Sequence, residues 1–314
     1  MKIQFGSLTY RVVLKFFCLG QTYRGTKRFK IGESPYPRRN PFLLTLLNLQ
    51  QLVAYFKTPR MSRHQKLRIQ SLKDSQIGKV VLILGNGPSL NRLDPVKVNS
   101  DSPDVWVLND FYKVDIARKL KISHYTLSDK AHLEDINLGG NFRFDSILEY
   151  VINQSSKLVV PHWAEEHLLE IGFPSEKILL FNDRDLSAWT RNIFPDKPRG
   201  YLGLTLYKSL AYALYLGYSE INILGMDNSE FLGLKSNLSN SILLFGNHAY
   251  ATSDSAHDLS HRFMDGFAGA FTMYSHTFGD LAKFTGPIIN LDKHSLTTQF
   301  KKIENHKWLR PDIQ

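Results

Sequence analysis

The stretch Lys79-Val-Val-Leu-Ile-Leu-Gly-Asn-Gly-Pro-Ser-Leu90 decides how the chain folds. Val80 to Leu84 is an unbroken apolar run, partly β-branched, and reads as a strand buried on both faces of a parallel sheet. It stops at Gly85-Asn86-Gly87-Pro88-Ser89. Two glycines allow a tight turn and let backbone approach a ligand with no Cβ in the way. Pro88 suits the first turn of a following helix, and Ser89 suits its cap. A strand-to-helix turn of this kind either offers its N–H groups to an anion, typically a phosphate, or simply turns the chain; spacing leaves both open. It is not a P-loop, because no Gly-Lys-Ser/Thr follows. The third glycine of the dinucleotide fingerprint is missing too.

Downstream the pattern alternates. Val105 to Leu108 reads as a second strand, ending at Asn109-Asp-Phe-Tyr112, and Ile122 to Leu127 as a third. Lys157 to Val160 is a fourth, followed by a helix from Glu165 to Ile171, and Lys177 to Phe181 is a fifth. Leu206 to Leu216 is apolar nearly all round and predicts a buried helix, closed by Gly217-Tyr218. Glu220 to Leu224 is a sixth strand, ending at Gly225-Met-Asp227. A long helix from Leu259 to Phe284 and a short strand at Ile288 to Leu291 follow. Strands alternating with helices predict an α/β fold, a Rossmann-like doubly wound and mostly parallel sheet with ligands at the carboxyl ends of its strands. The stretch 228–259 is long for a connection and reads as a lid-like insertion.

The chain has 314 residues and a net charge of +10, which is unevenly placed. Residues 1–73 hold 15 Lys/Arg and a single acid, Glu33, while the rest is mildly acidic. Phe42, Leu43, Leu46, Leu47, Leu49, Val53 and Phe56 recur at helical spacing, and Lys57, Arg60, Arg63, Lys66, Arg68 and Lys73 follow. An apolar helical face beside cations is what an anionic membrane surface attracts; a helix packed on the body with a solvated basic tail is the other reading. Nucleic acid ranks behind both, since no zinc finger, helix-turn-helix or RNA-recognition signature is present. One cysteine, Cys18, excludes an intramolecular disulfide and fits a reducing compartment. No secretory signal or apolar run long enough to span a bilayer is evident, so the expected place is cytoplasmic, peripheral on the inner face of the membrane.

Gly-Asn-Gly-Pro-Ser-Leu after the first strand, Asn-x-Phe-Tyr closing the second, and the helix–Gly-Tyr–strand–Gly-Met-Asp unit together resemble the bacterial sialyltransferases of glycosyltransferase family 42. Related transferases of surface-polysaccharide synthesis share the pattern. The resemblance covers roughly residues 79–300. The charge asymmetry sets off a basic extension, 1–75, which the resemblance leaves out, and the resemblance implies a Rossmann-like glycosyltransferase domain, 76–314, with the lid at 228–259. The resemblance further implies an inverting transfer of a nonulosonic or related keto-sugar acid from a CMP-activated donor to a lipooligosaccharide, capsule or other glycan. No metal is obligatory, although Mg2+ is compatible. Relatives of this kind often form homo-oligomers.

Carried over by position, Gly85, Asn86, Gly87, Pro88 and Ser89 would line the nucleotide and its phosphate, and Asn109 would bind the donor. Thr205 would replace a donor-contacting serine, and Asp227 would lie beside the nucleotide pocket. The chain also departs from the pattern. Ser229 and Lys235 stand where the family places two phosphate-binding tyrosines, and Leu127 stands where an asparagine is expected, with Ser128 and Asp129 next to it.

Glycosyl transfer needs a base for the acceptor hydroxyl and groups that stabilise the departing CMP. His248, in Asn247-His-Ala-Tyr250, lies where the family keeps its histidine, and His257 and His261 compete with it. Tyr250 could supply the phenol that the missing tyrosines would have given. Asp183-Arg-Asp185 matches a metal-holding Asp-x-Asp, a tripeptide common by chance. Two further readings stand beside the transferase: an enzyme like the archaeal-type hydroxymethylpterin diphosphokinases, which share a Gly-Asn-Gly-Pro-Ser loop and use ATP with magnesium, and a non-catalytic binding module.

Overall fold

A computed structural model describes residues 49, 51–128, 133, 142–187, 189–228, 234–236, 242–245, 249, 256–258 and 279–311. After a helical stretch at 51–57 comes α1 (Arg63–Gln70), then β1 (Val80–Leu84), α2 (Pro95–Asp101), β2 (Asp104–Leu108) and β3 (His124–Thr126). Then follow α3 (Phe142–Asn153), β4 (Lys157–Pro161), α4 (Glu165–Glu170), β5 (Ile178–Phe181), α5 (Thr205–Leu216) and β6 (Glu220–Leu224). Three short strands, β7 (Leu234–Ser236), β8 (Ile242–Phe245) and β9 (Ala256–Asp258), pair antiparallel in a small separate sheet. β10 (Ile288–Asn290) and β11 (Lys301–Lys302) complete the main sheet.

That main sheet has eight strands in the order β11-β10-β6-β1-β2-β3-β4-β5, every pair parallel. The doubly wound reading of the sequence therefore holds. From β1 the chain lays strands outward to β5, then returns through α5 to pair β6 on the other side of β1. The reversal falls between β1 and β6, and sheets of this kind bind ligands outside the carboxyl ends of the strands at such a point.

Both faces of the sheet are covered, which is why its strands read as continuous apolar runs rather than alternating ones. Successive side chains point to opposite faces. Leu82, Leu84, Val105, Val107, Leu158 and Val160 pack with Val98 of α2, Ile147 and Val151 of α3, and Leu168 of α4. Val81, Ile83, Trp106, Val159, Ile221 and Ile223 pack with Leu210, Ala211 and Tyr212 of α5, and with Leu281 and Phe284. Gly217 closes α5 at φ 81, a left-handed cap that costs glycine little.

Residues 51–74, assigned by charge to the extension, lie against the body. Ile69 is 1% exposed and Met61 5%. Arg68 pairs with Glu165 and donates to the carbonyls of Ser175 and Ile178, so α1 covers the open edge of β5. Arg184 donates to the Tyr55 carbonyl at 2.8 Å and stacks on the Tyr55 ring at 3.6 Å. Buried His162 contacts the Pro59 carbonyl at 3.0 Å through Nε2 and accepts the Asp183 N–H through Nδ1. Burial holds its pKa below the usual imidazole value, which keeps it the neutral bridge this pattern needs.

Residues 1–48, most of the lid and most of the predicted helix from Leu259 lie outside the described residues; the last turn of that helix, 279–281, is present. No helix among the described residues is long and apolar enough to cross a membrane.

Candidate active site

At the switch point two strand ends meet. Gly85 N–H donates to the Leu224 carbonyl at 2.8 Å and Gly87 N–H to the Gly225 carbonyl at 3.0 Å, so the pairing of β1 with β6 continues into the turn. Gly85 and Gly225 lie backbone against backbone. A Cβ on Gly85 would stand 2.9 Å from the Gly225 carbonyl carbon and closer still to its oxygen.

Gly87 leaves its space to Asp227: a Cβ there would stand 2.7 Å from Asp227 Cγ. The carboxylate accepts the Ser89 N–H at 3.0 Å, and Ser89 Oγ in turn accepts the Gly225 N–H at 3.0 Å. Asp227 thus caps the 3-10 turn Pro88–Arg92 across 138 residues of chain. The amides of Gly85, Gly87 and Ser89 are engaged within the protein, which differs from the open phosphate cradle that the turn's sequence suggests.

Asparagine side chains remain. Asn86 and Asn109 end the neighbouring strands β1 and β2, and the Asn86 Nδ2 lies 3.5 Å from the Leu108 carbonyl. Both Oδ1 atoms are buried with no hydrogen-bond partner among the described residues. Asn109 sits at φ +50, a left-handed conformation that non-glycine residues seldom adopt and that asparagine tolerates best. Its carbonyl accepts the Tyr125 hydroxyl, which fixes the bend.

The next strand end carries Ser128, whose Oγ lies 2.6 Å from Thr205 Oγ1 in the first turn of α5. Leu127, where the family pattern suggests an asparagine, is instead fully buried in the core. Behind the Ser128–Thr205 pair, Ser209 Oγ donates to Thr126 Oγ1 at 2.9 Å, and Trp106 Nε1 donates to the same atom at 2.6 Å. These buried hydroxyls hold α5 in register on the sheet.

Asp292, beyond the end of β10, is the residue the sequence reading did not find. It is 4% exposed and lies close enough to Asp227, which is 8% exposed, to act on its carboxyl group. Arg92 Nη1 lies 3.9 Å from Asp292 Oδ1. Burial pushes the Asp227 pKa up to about 6, against the lowering effect of its Ser89 hydrogen bonds; Asp292 adds to the rise. The folded state therefore holds a proton between about pH 4 and pH 6 that the unfolded chain releases. Stability from this source is fully present below the ordinary carboxyl range and is lost as pH rises through 6. Asp227→Asn should flatten the fall in thermal midpoint between about pH 4 and pH 6; a fall as steep as the parent's would assign it to other groups.

No family model matches the chain, and no curated protein matches it. Similar solved structures include the sialyltransferase CstII from Campylobacter jejuni in complex with a substrate analogue, cytidine-5'-monophosphate, at 18% identity and a TM-score of 0.40 over 75% of this chain and 88% of that one. The sialyltransferase CST-II with a trisaccharide acceptor and CMP is similar at 16% identity and a TM-score of 0.38, over 71% and 85% of the two chains. MAf glycosyltransferase from Magnetospirillum magneticum AMB-1 is similar at 13% identity and a TM-score of 0.42, over 86% of this chain but 42% of that one.

The other predicted residues divide clearly. His248 and Tyr250 lie outside the described residues, but Ala249 between them is described. Its N–H donates to the Asn86 carbonyl at 2.7 Å, which ties this segment to the glycine turn. His257 lies in β9, paired with Leu244. Lys235 lies in β7, and Ser229 and His261 fall outside the described residues. The Asp-x-Asp tripeptide is an ion-pair cluster: Lys208 Nζ lies 2.9 Å from Asp183 Oδ1, and Arg199 reaches Asp183 and Asp185 at 3.4 and 3.5 Å. His124, stacked on Trp106, is kept neutral by burial, with its pKa pushed down to about 4.

Proposed function

We propose that the chain is a glycosyltransferase that moves a nonulosonic or related keto-sugar acid from a CMP-activated donor to a glycan of a lipooligosaccharide, capsule or similar acceptor. It would work at the cytoplasmic face of a membrane, where lipid-linked acceptors sit. The observation that carries the reading is the pair of buried amide oxygens of Asn86 and Asn109, without a hydrogen-bond partner among the described residues, at the adjacent ends of β1 and β2. A buried acceptor without a donor is costly, and the hydroxyls and amino group of a nucleoside supply donors. The motif pattern Gly-Asn-Gly-Pro-Ser-Leu, Asn-x-Phe-Tyr and Gly-Met-Asp supports it.

In this reading Asn86 and Asn109 hold the nucleoside, and Thr205 at the start of α5 faces the donor phosphate beside the positive end of the helix. His248 removes the proton of the acceptor hydroxyl as the oxygen attacks the anomeric carbon. The bond from that carbon to the CMP oxygen breaks with inversion, and CMP departs. Tyr250 would donate a hydrogen bond to the leaving phosphate. No metal is required by this scheme, and Mg2+ is compatible with it.

The test is the thermal midpoint against CMP, CDP, UMP, UDP, GDP, ATP and NAD, each with and without magnesium. A ligand of the folded state at about 100 times its Kd adds about 2.7 kcal/mol. A shift with CMP that needs no metal and vanishes in Asn109→Ala is the expected result. A shift only with ATP and magnesium would instead favour the diphosphokinase reading, with the Asp227–Asp292 pair facing the metal. No shift with any ligand would favour a binding module.

A further inference from the structure

The helical stretch 51–57 has two sides. Gln51 and Tyr55 face the body: Gln51 Nε2 donates to Ser187 Oγ at 2.8 Å, and Arg184 covers the Tyr55 ring and donates to its carbonyl. Leu49, Val53 and Phe56, at spacings of four and three, share the opposite side and are 49%, 54% and 66% exposed. Leu67 of α1 is 54% exposed. Lys57, Arg60, Arg63 and Lys66, which follow in the chain, are exposed as well, and no acid occurs between residues 49 and 73. Arg68, by contrast, is paired with Glu165.

The attachment of this face to the body fixes its orientation. His162 follows the carboxyl end of β4, and Arg184 and Ser187 follow that of β5; these residues hold Pro59, Tyr55 and Gln51. Asn86, Asn109 and Ser128 lie at the carboxyl ends of β1, β2 and β3 in the same parallel sheet. The apolar face and the candidate site therefore share one edge of the sheet. Four strand spacings, about 19 Å, separate the end of β1 from that of β5.

We infer that Leu49, Val53 and Phe56, together with the exposed Lys57, Arg60, Arg63 and Lys66 that follow them in the chain, dock on an anionic lipid surface and turn the carboxyl edge of the sheet toward the bilayer. Exposed apolar side chains enter the region between headgroups and acyl chains while neighbouring cations meet lipid phosphates. The sign of the charge selects a lipid surface over a second copy, because two copies meeting through this face would bring eight cations together with no acid between them. The inference rests on the transferase reading only for its use: it would hold a lipid-linked acceptor at the height of the site.

The test is sedimentation of the full chain with vesicles of phosphatidylcholine alone, or with roughly one-third phosphatidylglycerol. Binding to the anionic vesicles alone is expected, weakened by salt, and reduced by at least about tenfold in the double variant Val53→Asp, Phe56→Asp. Arg60→Gln with Arg63→Gln should weaken it as well. All four side chains are exposed, so the thermal midpoint of each variant should match the parent's. Binding unchanged in the double variant would overturn the inference. A dimer in sedimentation velocity that the double variant dissolves would also overturn it, assigning the face to a second copy. Failure of CMP to shift the midpoint would sink the donor reading and leave the vesicle result standing.

Discussion

Gly85→Ala should cost the fold at the upper end of, or beyond, the ~1–3 kcal/mol typical of overpacking, and lower the thermal midpoint by about 5 °C or more. The reason is what the new methyl would meet. Its nearest neighbours are the carbonyl oxygen and carbon of Gly225, both backbone, and the Gly225 side offers no side chain that could swing aside. Relief requires β1 and β6 to part at the point where Gly85 N–H meets the Leu224 carbonyl and Gly87 N–H meets that of Gly225. Gly87→Ala is the informative comparison. There the methyl meets the Asp227 carboxylate, which can rotate away at the loss of its bond to the Ser89 N–H, and the Gly225 carbonyl oxygen at 2.8 Å, a single backbone atom and less closely approached than at Gly85. Its cost should therefore be smaller than that of Gly85→Ala but above the ~1 kcal/mol of a lost cap. Urea unfolding of the two variants checks the order; equal stability of Gly85→Ala and the parent would mean that β1 and β6 do not meet as described.

The same contact shows how far the sequence could be read. β1, β2 and β6 were legible because strands buried on both faces are written as apolar runs, and α5 because it is apolar nearly all round. The polar residues that end these strands were legible by position. Their partners were not, since each depends on a pairing distant in the chain. Asp227 reaches Ser89 only because β6 lies beside β1, and Asp292 reaches Asp227 only because a three-residue strand, β10, lies beside β6. Nothing in Asn290-Leu-Asp292 marks that acid. The shift from Leu127 to Ser128 is one of register: a single residue decides which side chain enters the core and which meets Thr205. The basic run after residue 57 shows the limit of charge counting, which cannot separate Arg68, paired with Glu165, from the solvated Arg60.

His248→Ala should lower the rate of sugar transfer by about 10²–10⁴ while leaving the CMP-dependent rise in thermal midpoint intact. A general base acts on the acceptor hydroxyl and not on the nucleotide, so removing it should leave donor binding unchanged. Support for His248 over His257 comes from Ala249, whose amide is bound to the Asn86 carbonyl; His248 is its chain neighbour, one Cα–Cα step of about 3.8 Å away. His257 belongs to β9 and pairs with Leu244, an arrangement that gives it no described link to the turn. The base must be neutral to accept a proton, so parent activity should fall toward acid pH, and His248→Ala should lose that limb of the profile. His257→Ala should keep both the rate and the limb. If His257→Ala instead abolishes the acid limb while His248→Ala retains it, the base lies on β9, and the hydrogen bond from Ala249 to Asn86 serves only to anchor the segment.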